Sequence, residues 1–74
     1  MTIKNYVLES SNLNSIYFDN ELDLQDIKIN FKTGETYKYF NVPTGVCKNL
    51  IAAESAGKYF NVAIKNVYEF TKEV

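Results

Sequence analysis

The segment IKINFKTGETYKYF, Ile27 to Phe40, constrains the fold more than any other part of the chain. Apolar and polar residues alternate on both sides of a single glycine, the period of a half-buried antiparallel strand, so a β-hairpin is expected here. Loop length then decides which face each side chain takes, because a slip of one residue carries a whole strand's side chains to the opposite face. With Lys32, Thr33 and Gly34 as a three-residue loop and Gly34 left-handed in a bulge, Phe31 opposes Glu35, Ile29 opposes Tyr37 and Ile27 opposes Tyr39. Ile27, Ile29, Phe31, Tyr37 and Tyr39 then share one face, with Lys28 and Asn30 on the other. A two-residue turn at Thr33 and Gly34 instead sets Asn30 against Tyr37 and Lys28 against Tyr39, turning both rings away from the isoleucines. Segregation of apolar from polar side chains favours the first register. The second would make the two rings a platform on which a base could stack.

A chain of 74 residues is expected to form one domain, near the lower limit at which an apolar core holds a fold without disulfides or metal. Six Tyr and five Phe exceed what so small a core requires, which leaves rings for a surface or a subunit interface. Ahead of the hairpin, residues 1–9 form a leading segment that Ser10, Ser11 and Asn12 close. LNSIYF then alternates as a strand with Ile16 and Phe18 on one face, and DNELDLQD reads as a solvated acidic connection. Beyond the hairpin, Val42 and Pro43 end the strand and a helix runs from Pro43 to about Glu54 with a stripe of Val46, Cys47, Leu50 and Ile51. Ser55 caps a second helix, from near Ala56, whose Phe60, Ala63, Ile64 and Val67 repeat at helical spacing. The closing YEFTKEV alternates and fits either a strand or the end of that helix. The expected fold class is α+β, an antiparallel sheet of three or four strands packed against two short helices.

The residue inventory excludes several chemistries. There is no His, so imidazole-assisted nucleophilic catalysis is out, and Cys47, the one cysteine, falls in an apolar helical stripe where packing is its ordinary role. One Cys without His does not make a zinc site, and one Cys cannot form an internal disulfide. Asp19, Glu21 and Asp23 alternate like the start of a calcium loop, but Leu24 stands where the turn glycine belongs and Asn30 where the closing glutamate belongs. No catalytic group, metal or cofactor is therefore expected. MTIKNYVLES lacks the apolar run of a signal peptide and no stretch is long enough to span a membrane, so a cytoplasmic setting is the expectation. Nine Asn with abundant Lys and Ile suit a low-GC bacterial or phage gene.

Net charge is −1, without the overall basic footprint of a general nucleic-acid binder, yet residues 37–74 carry five Lys against three acids. All eight basic residues are Lys, so phosphate contacts must come from ammonium groups, amides or hydroxyls. The candidate binding residues are Lys38, Lys58 and Lys65 with Tyr37, Tyr39 and Tyr59, and Tyr68 if accessible. Ammonium groups beside aromatic faces suit RNA, single-stranded nucleic acid or a nucleotide. Set against this, the lysines could simply solubilise the surface and the rings belong to the core. A second functional class, a protein-interaction or self-assembly domain, bacterial or phage-encoded and acting on a host protein, would bury the surplus rings between subunits.

From Ser10 to about Tyr68 the chain resembles the KTSC domain family, named for the C-terminal extension of some lysyl-tRNA synthetases and found also as a stand-alone bacterial or phage protein. The resemblance is carried by Ser10, Ser11 and Asn12; by Phe18 with Asp19; by Ile27, Ile29, Phe31 and Gly34; and by the pair Tyr37 and Tyr39 before Val42 and Pro43. It continues through Leu50, Ala53, Ser55 and Gly57 to Tyr59, Phe60, Asn61, Ile64, Lys65 and Tyr68. The resemblance implies the α+β fold and, through the attachment to a tRNA-charging enzyme, RNA binding. Relatives often have Arg where this chain has Lys38 and Lys65.

Overall fold

The computed structural model describes residues 3–73. Its elements are β1 (Ile3–Val7), β2 (Leu13–Asp19), β3 (Leu24–Phe31), β4 (Thr36–Pro43), α1 (Thr44–Ala52), α2 (Ala56–Ala63) and β5 (Phe70–Lys72). The strands form one antiparallel sheet in the order β1-β2-β3-β4-β5, and the helices lie on one of its faces. The class is α+β, with five strands in the sheet.

The central hairpin takes the bulged-glycine register. Ile29 pairs with Tyr37 and Ile27 with Tyr39. The Phe31 N–H donates to Glu35 O over 2.8 Å, the Gly34 N–H donates to Phe31 O over 2.9 Å, and Gly34 has φ +94°, a conformation that a glycine adopts without steric cost. Farther along the hairpin β4 holds one extra residue between the Ile27–Tyr39 and Gln25–Val42 pairs. Asn41 takes φ +55° there, and its N–H is bound by Asp26 Oδ1 at 3.1 Å.

The core comprises Leu13, Ile16 and Phe18 of β2, Ile27 and Ile29 of β3, Tyr39 and Val42 of β4, Cys47 and Leu50 of α1, and Ala56, Phe60 and Ile64 of and after α2, with Leu8 closing one end. Tyr39 is thus a core residue, and Tyr37 lies half-buried against the same cluster.

Several sequence expectations are corrected. The leading segment contains a strand, β1, because Lys4 to Val7 continue the ladder of β2. The acidic connection is shorter than residues 19–26: β3 begins at Leu24, and Asp19 is buried at the end of β2 rather than solvated. Asp19 Oδ1 accepts the Glu21 N–H at 2.8 Å, and the Gln25 side chain holds the Asp19 backbone N–H at 2.8 Å and carbonyl at 2.7 Å. Those bonds close the turn and carry the chain directly into the next strand. Helix α1 starts one residue after Pro43, whose extended ψ of 137° completes β4, and stops at Ala52 because Ala53 is extended. Its buried positions are Thr44, Cys47 and Leu50, so Ile51 falls outside the stripe and is exposed. Val67 is likewise exposed, because α2 ends at Ala63 and Asn66 turns the chain with φ +65°. The closing segment is a strand: Phe70 pairs with Tyr39 and Lys72 with Tyr37.

Candidate functional site

The six sequence candidates do not form one group. Tyr37 and Tyr39 point to the helix-bearing face, whereas Lys38, between them, points to the open face. Cross-strand pairing there sets Lys38 beside Lys28, and Lys28 beside Tyr17. Ile3, Tyr17, Asp26, Lys28, Asn30 and Lys38 line a concavity of about 510 Å³ on this open face. Its ammonium groups already have partners: Lys28 Nζ is 2.9 Å from Glu73 Oε1, and Lys38 Nζ stands 5.6 Å from the centre of the Phe40 ring. Lys58 is exposed on the first turn of α2, where its N–H donates to the Ser55 cap, and Tyr59 packs half-buried against the core.

Lys65 joins the two tyrosines. A cleft of about 260 Å³ opens between the end of α2 and the β3–β4–β5 side of the sheet. Phe31, Tyr37, Tyr39, Phe60 and Phe70 form its walls, and Asn12, Glu35, Asn61, Lys65 and Asn66 its mouth. The rings make a continuous cluster. Tyr37 and Tyr39 are stacked with centroids 6.4 Å apart, and Phe70 lies 5.5 Å from each. Phe60 meets Phe31 edge-on at 5.5 Å and Tyr39 at 5.8 Å. These edge contacts fix the inner rings in place. Phe70 remains 52% exposed at the outer lip, an apolar ring facing water.

Local structure explains why the polar groups converge there. The Ile64 and Lys65 N–H groups both donate to Phe60 O, at 3.0 and 2.8 Å, closing α2 so that Lys65 and Asn66 follow the helix at the cleft. A lysine beside a helix C-terminus is favourably placed with respect to the helix dipole. Asn12 arrives through the Ser10 turn, in which Ser10 Oγ donates to Asn12 Oδ1 over 2.9 Å and accepts the Asn12 and Leu13 N–H groups at 3.3 Å. Glu35 is ion-paired: its Oε2 is 2.6 Å from Lys72 Nζ, which lowers the carboxyl pKa and raises that of the lysine. Among the described residues Lys65 has no ion-pair partner.

Burial, with some repulsion from Tyr37, pushes the Tyr39 phenol up to about 12, so it stays neutral. Burial also pushes the Cys47 thiol up to about 12, which favours its protonated form. No group of three or more metal-ligating side chains occurs among the described residues, and no helix is long and apolar enough to cross a membrane. Of the sequence candidates Tyr37, Tyr39 and Lys65 line this cleft; Phe70, Asn12, Asn61 and Asn66, which line it too, are not among those candidates. Only the alternation in YEFTKEV hinted at a strand that could bring Phe70 beside the tyrosines.

A KTSC domain family model matches residues 9–68, and the chain belongs to the KTSC domain family. It is 35% identical over 63 residues to an uncharacterised protein of Stutzerimonas stutzeri, covering 85% of this chain and 86% of that one. It is also 40% identical over 53 residues to a lysine–tRNA ligase of Nostoc punctiforme, covering 72% of this chain but 9% of the ligase. The crystal structure of a KTSC domain protein from Yersinia pestis superposes with a TM-score of 0.83 at 27% identity, covering 99% of this chain and all of that one.

Proposed function

We propose that this domain is a non-catalytic binding module for a nucleotide or for one exposed base of a single-stranded nucleic acid, RNA in particular, held in the aromatic cleft. The observation that carries the reading is Phe70: a half-exposed ring beside Tyr37 at the mouth of a cleft that also presents three amides, the Lys72-paired Glu35 carboxylate, and the Lys65 ammonium, which has no ion-pair partner among the described residues. A base stacked on Phe70 and Tyr37 would keep its edges within the reach of Asn12, Asn61 and Asn66, whose side chains each offer both donors and acceptors. Lys65 would take a single phosphate. The cleft volume, below the usual 300–1,000 Å³ of drug-sized sites, suits one base rather than an extended ligand.

The match to part of a lysine–tRNA ligase supports RNA over other ligands, since that enzyme handles tRNA. A non-catalytic role is supported by the absence of His and by a Cys47 thiol buried and held protonated. The cytoplasm, where RNA and nucleotides are available, is the setting this reading implies.

Fluorescence titration of the domain with single-stranded RNA, single-stranded DNA and mononucleotides at low salt tests the proposal. Binding is expected. Phe70→Ala should weaken it by about 1–3 kcal/mol, the ordinary worth of one stacked base, and Lys65→Ala should reduce its salt dependence. Lys38→Ala, on the opposite face, should leave it unchanged. Absence of binding to all three ligands, or sensitivity to Lys38 with indifference to Phe70, would overturn it.

A further inference from the structure

We propose that the free edge of β1 is a self-pairing surface through which two copies of this chain join their sheets antiparallel about Asn5. The proposal goes beyond the ligand reading and does not depend on it. Leu8 N–H donates to Asn14 O over 2.9 Å, and the β1–β2 register continues that phase through Tyr6 with Ile16 and Lys4 with Phe18. In an antiparallel ladder the intervening residues turn their N–H and C=O groups the other way. Ile3, Asn5 and Val7 therefore offer their backbone groups to the open edge, as a second strand would require.

The side chains on this edge are self-complementary. Ile3 is 64% exposed and Val7 77%, two large apolar residues placed symmetrically about Asn5 on the open face of the sheet. A two-fold axis at Asn5, perpendicular to the sheet, sets Ile3 of each copy against Val7 of the other and Asn5 against its own equivalent. Lys4 then faces Tyr6 across the junction, so the two ammonium groups are not apposed. Natural edge strands usually carry a charge, a proline or a bulge that discourages pairing; β1 has no proline, and its one charge, Lys4, lies at a position whose backbone groups turn toward β2. The opposite edge, β5, is three residues long and is flanked by the Lys72–Glu35 and Lys28–Glu73 ion pairs. Pairing of this kind makes a continuous ten-stranded sheet with all four helices on one side. Both aromatic clefts stay open at its far ends, since β4 and β5 lie at the other margin of each sheet.

A five-residue edge buries less than the roughly 1,200 Å² at which stable specific interfaces begin, so the dimer is weak and concentration-dependent. Sedimentation velocity on the full chain from micromolar concentration to about 1 mM, where pairing worth ~4 kcal/mol is half-saturated, tests it. A reversible monomer–dimer equilibrium is expected for the wild type. Asn5→Pro removes an N–H that faces the open edge and leaves the ladder to β2 intact, and should weaken dimerisation at least about tenfold. Val7→Lys, which leaves the backbone unaltered, should do the same. Thermal unfolding of each variant at dilute concentration shows whether the monomer remains folded. A wild type that stays monomeric throughout, or a dimer untouched by Val7→Lys and by a folded Asn5→Pro variant, overturns the proposal.

Discussion

Asn12 Oδ1 lies 3.1 Å from the point where a Cβ on Gly57 would stand, and Ser10 Oγ lies 3.2 Å from it. The turn before β2 therefore packs directly on the first turn of α2. The same turn reaches the central hairpin, because Asn12 O accepts the Lys32 N–H at 2.9 Å. One three-residue stretch thus sets the height of α2 above the sheet, and with it the width of the cleft that Asn12 helps to line.

Substitution at the two helical glycines should separate packing from propensity. Gly45 has open space where a Cβ would go, so Gly45→Ala should stabilise the domain by about 0.5 kcal/mol through loss of unfolded-state freedom. Gly57→Ala has the same propensity gain but must push the Ser10 turn aside, and should give no stabilisation or a net loss. Urea denaturation of the two variants makes the comparison directly.

Gln25 ties three parts of the fold together. Its side chain bonds the Asp19 N–H and carbonyl, and also donates to Thr44 Oγ1 at 2.7 Å. Thr44 in turn donates its hydroxyl to Leu22 O and its N–H to Asp23 O. Gln25→Ala removes three part-buried hydrogen bonds at once and should cost about 1–3 kcal/mol in a denaturant titration.

Alkaline pH should destabilise the domain through Tyr39 and Cys47. Both have folded pKa values raised, to about 12, from ordinary values of 10.0 and 9.0. The fold favours the protonated forms, so their contribution is complete below about pH 9 and disappears as pH climbs towards 12, because the unfolded chain loses the protons first. Tyr39→Phe removes one of the two titrating groups and should roughly halve the fall in Tm measured by circular dichroism between pH 9 and 12.

Cys47 should also be chemically silent. It is fully buried, and that burial raises its pKa and so lowers its thiolate fraction below that of an ordinary exposed thiol. Thiol titration with a disulfide reagent at pH 8 should proceed only as fast as the domain opens, and rapidly in concentrated urea. Fast native-state labelling would place the thiol outside the core.

The parts of the fold that were legible in the sequence are those where side-chain pattern and burial agree. Ile27, Ile29, Tyr37 and Tyr39 were placed correctly because a bulged glycine turn has one register that segregates them. β1 was not recognised because its pattern runs against burial: Ile3 and Val7 are exposed, and the strand is held by backbone pairing with β2. β5 was ambiguous for a related reason, its Phe70 being half-exposed and its other residues polar. Lys38, Lys58 and Lys65 are grouped by charge in the sequence but not in space. Lys38 and Lys65 carry the same charge, yet strand alternation sends one to the open face and the turn after α2 brings the other to the cleft. That difference arises only once helix and sheet are docked. Asn12 and Phe70, remote in sequence, come to line one cleft for the same reason.

The most direct test of the cleft is a nitrogen-15 amide-shift titration of the wild-type domain at low salt with a short single-stranded RNA and, separately, with mononucleotides. Binding in the cleft should give saturable shifts centred on Asn12, Tyr37, Asn61, Lys65, Asn66 and Phe70, with Tyr17 and Lys28 on the open face undisturbed. Spectra that do not change with either ligand, or shifts centred on Tyr17 and Lys28 instead, would contradict it.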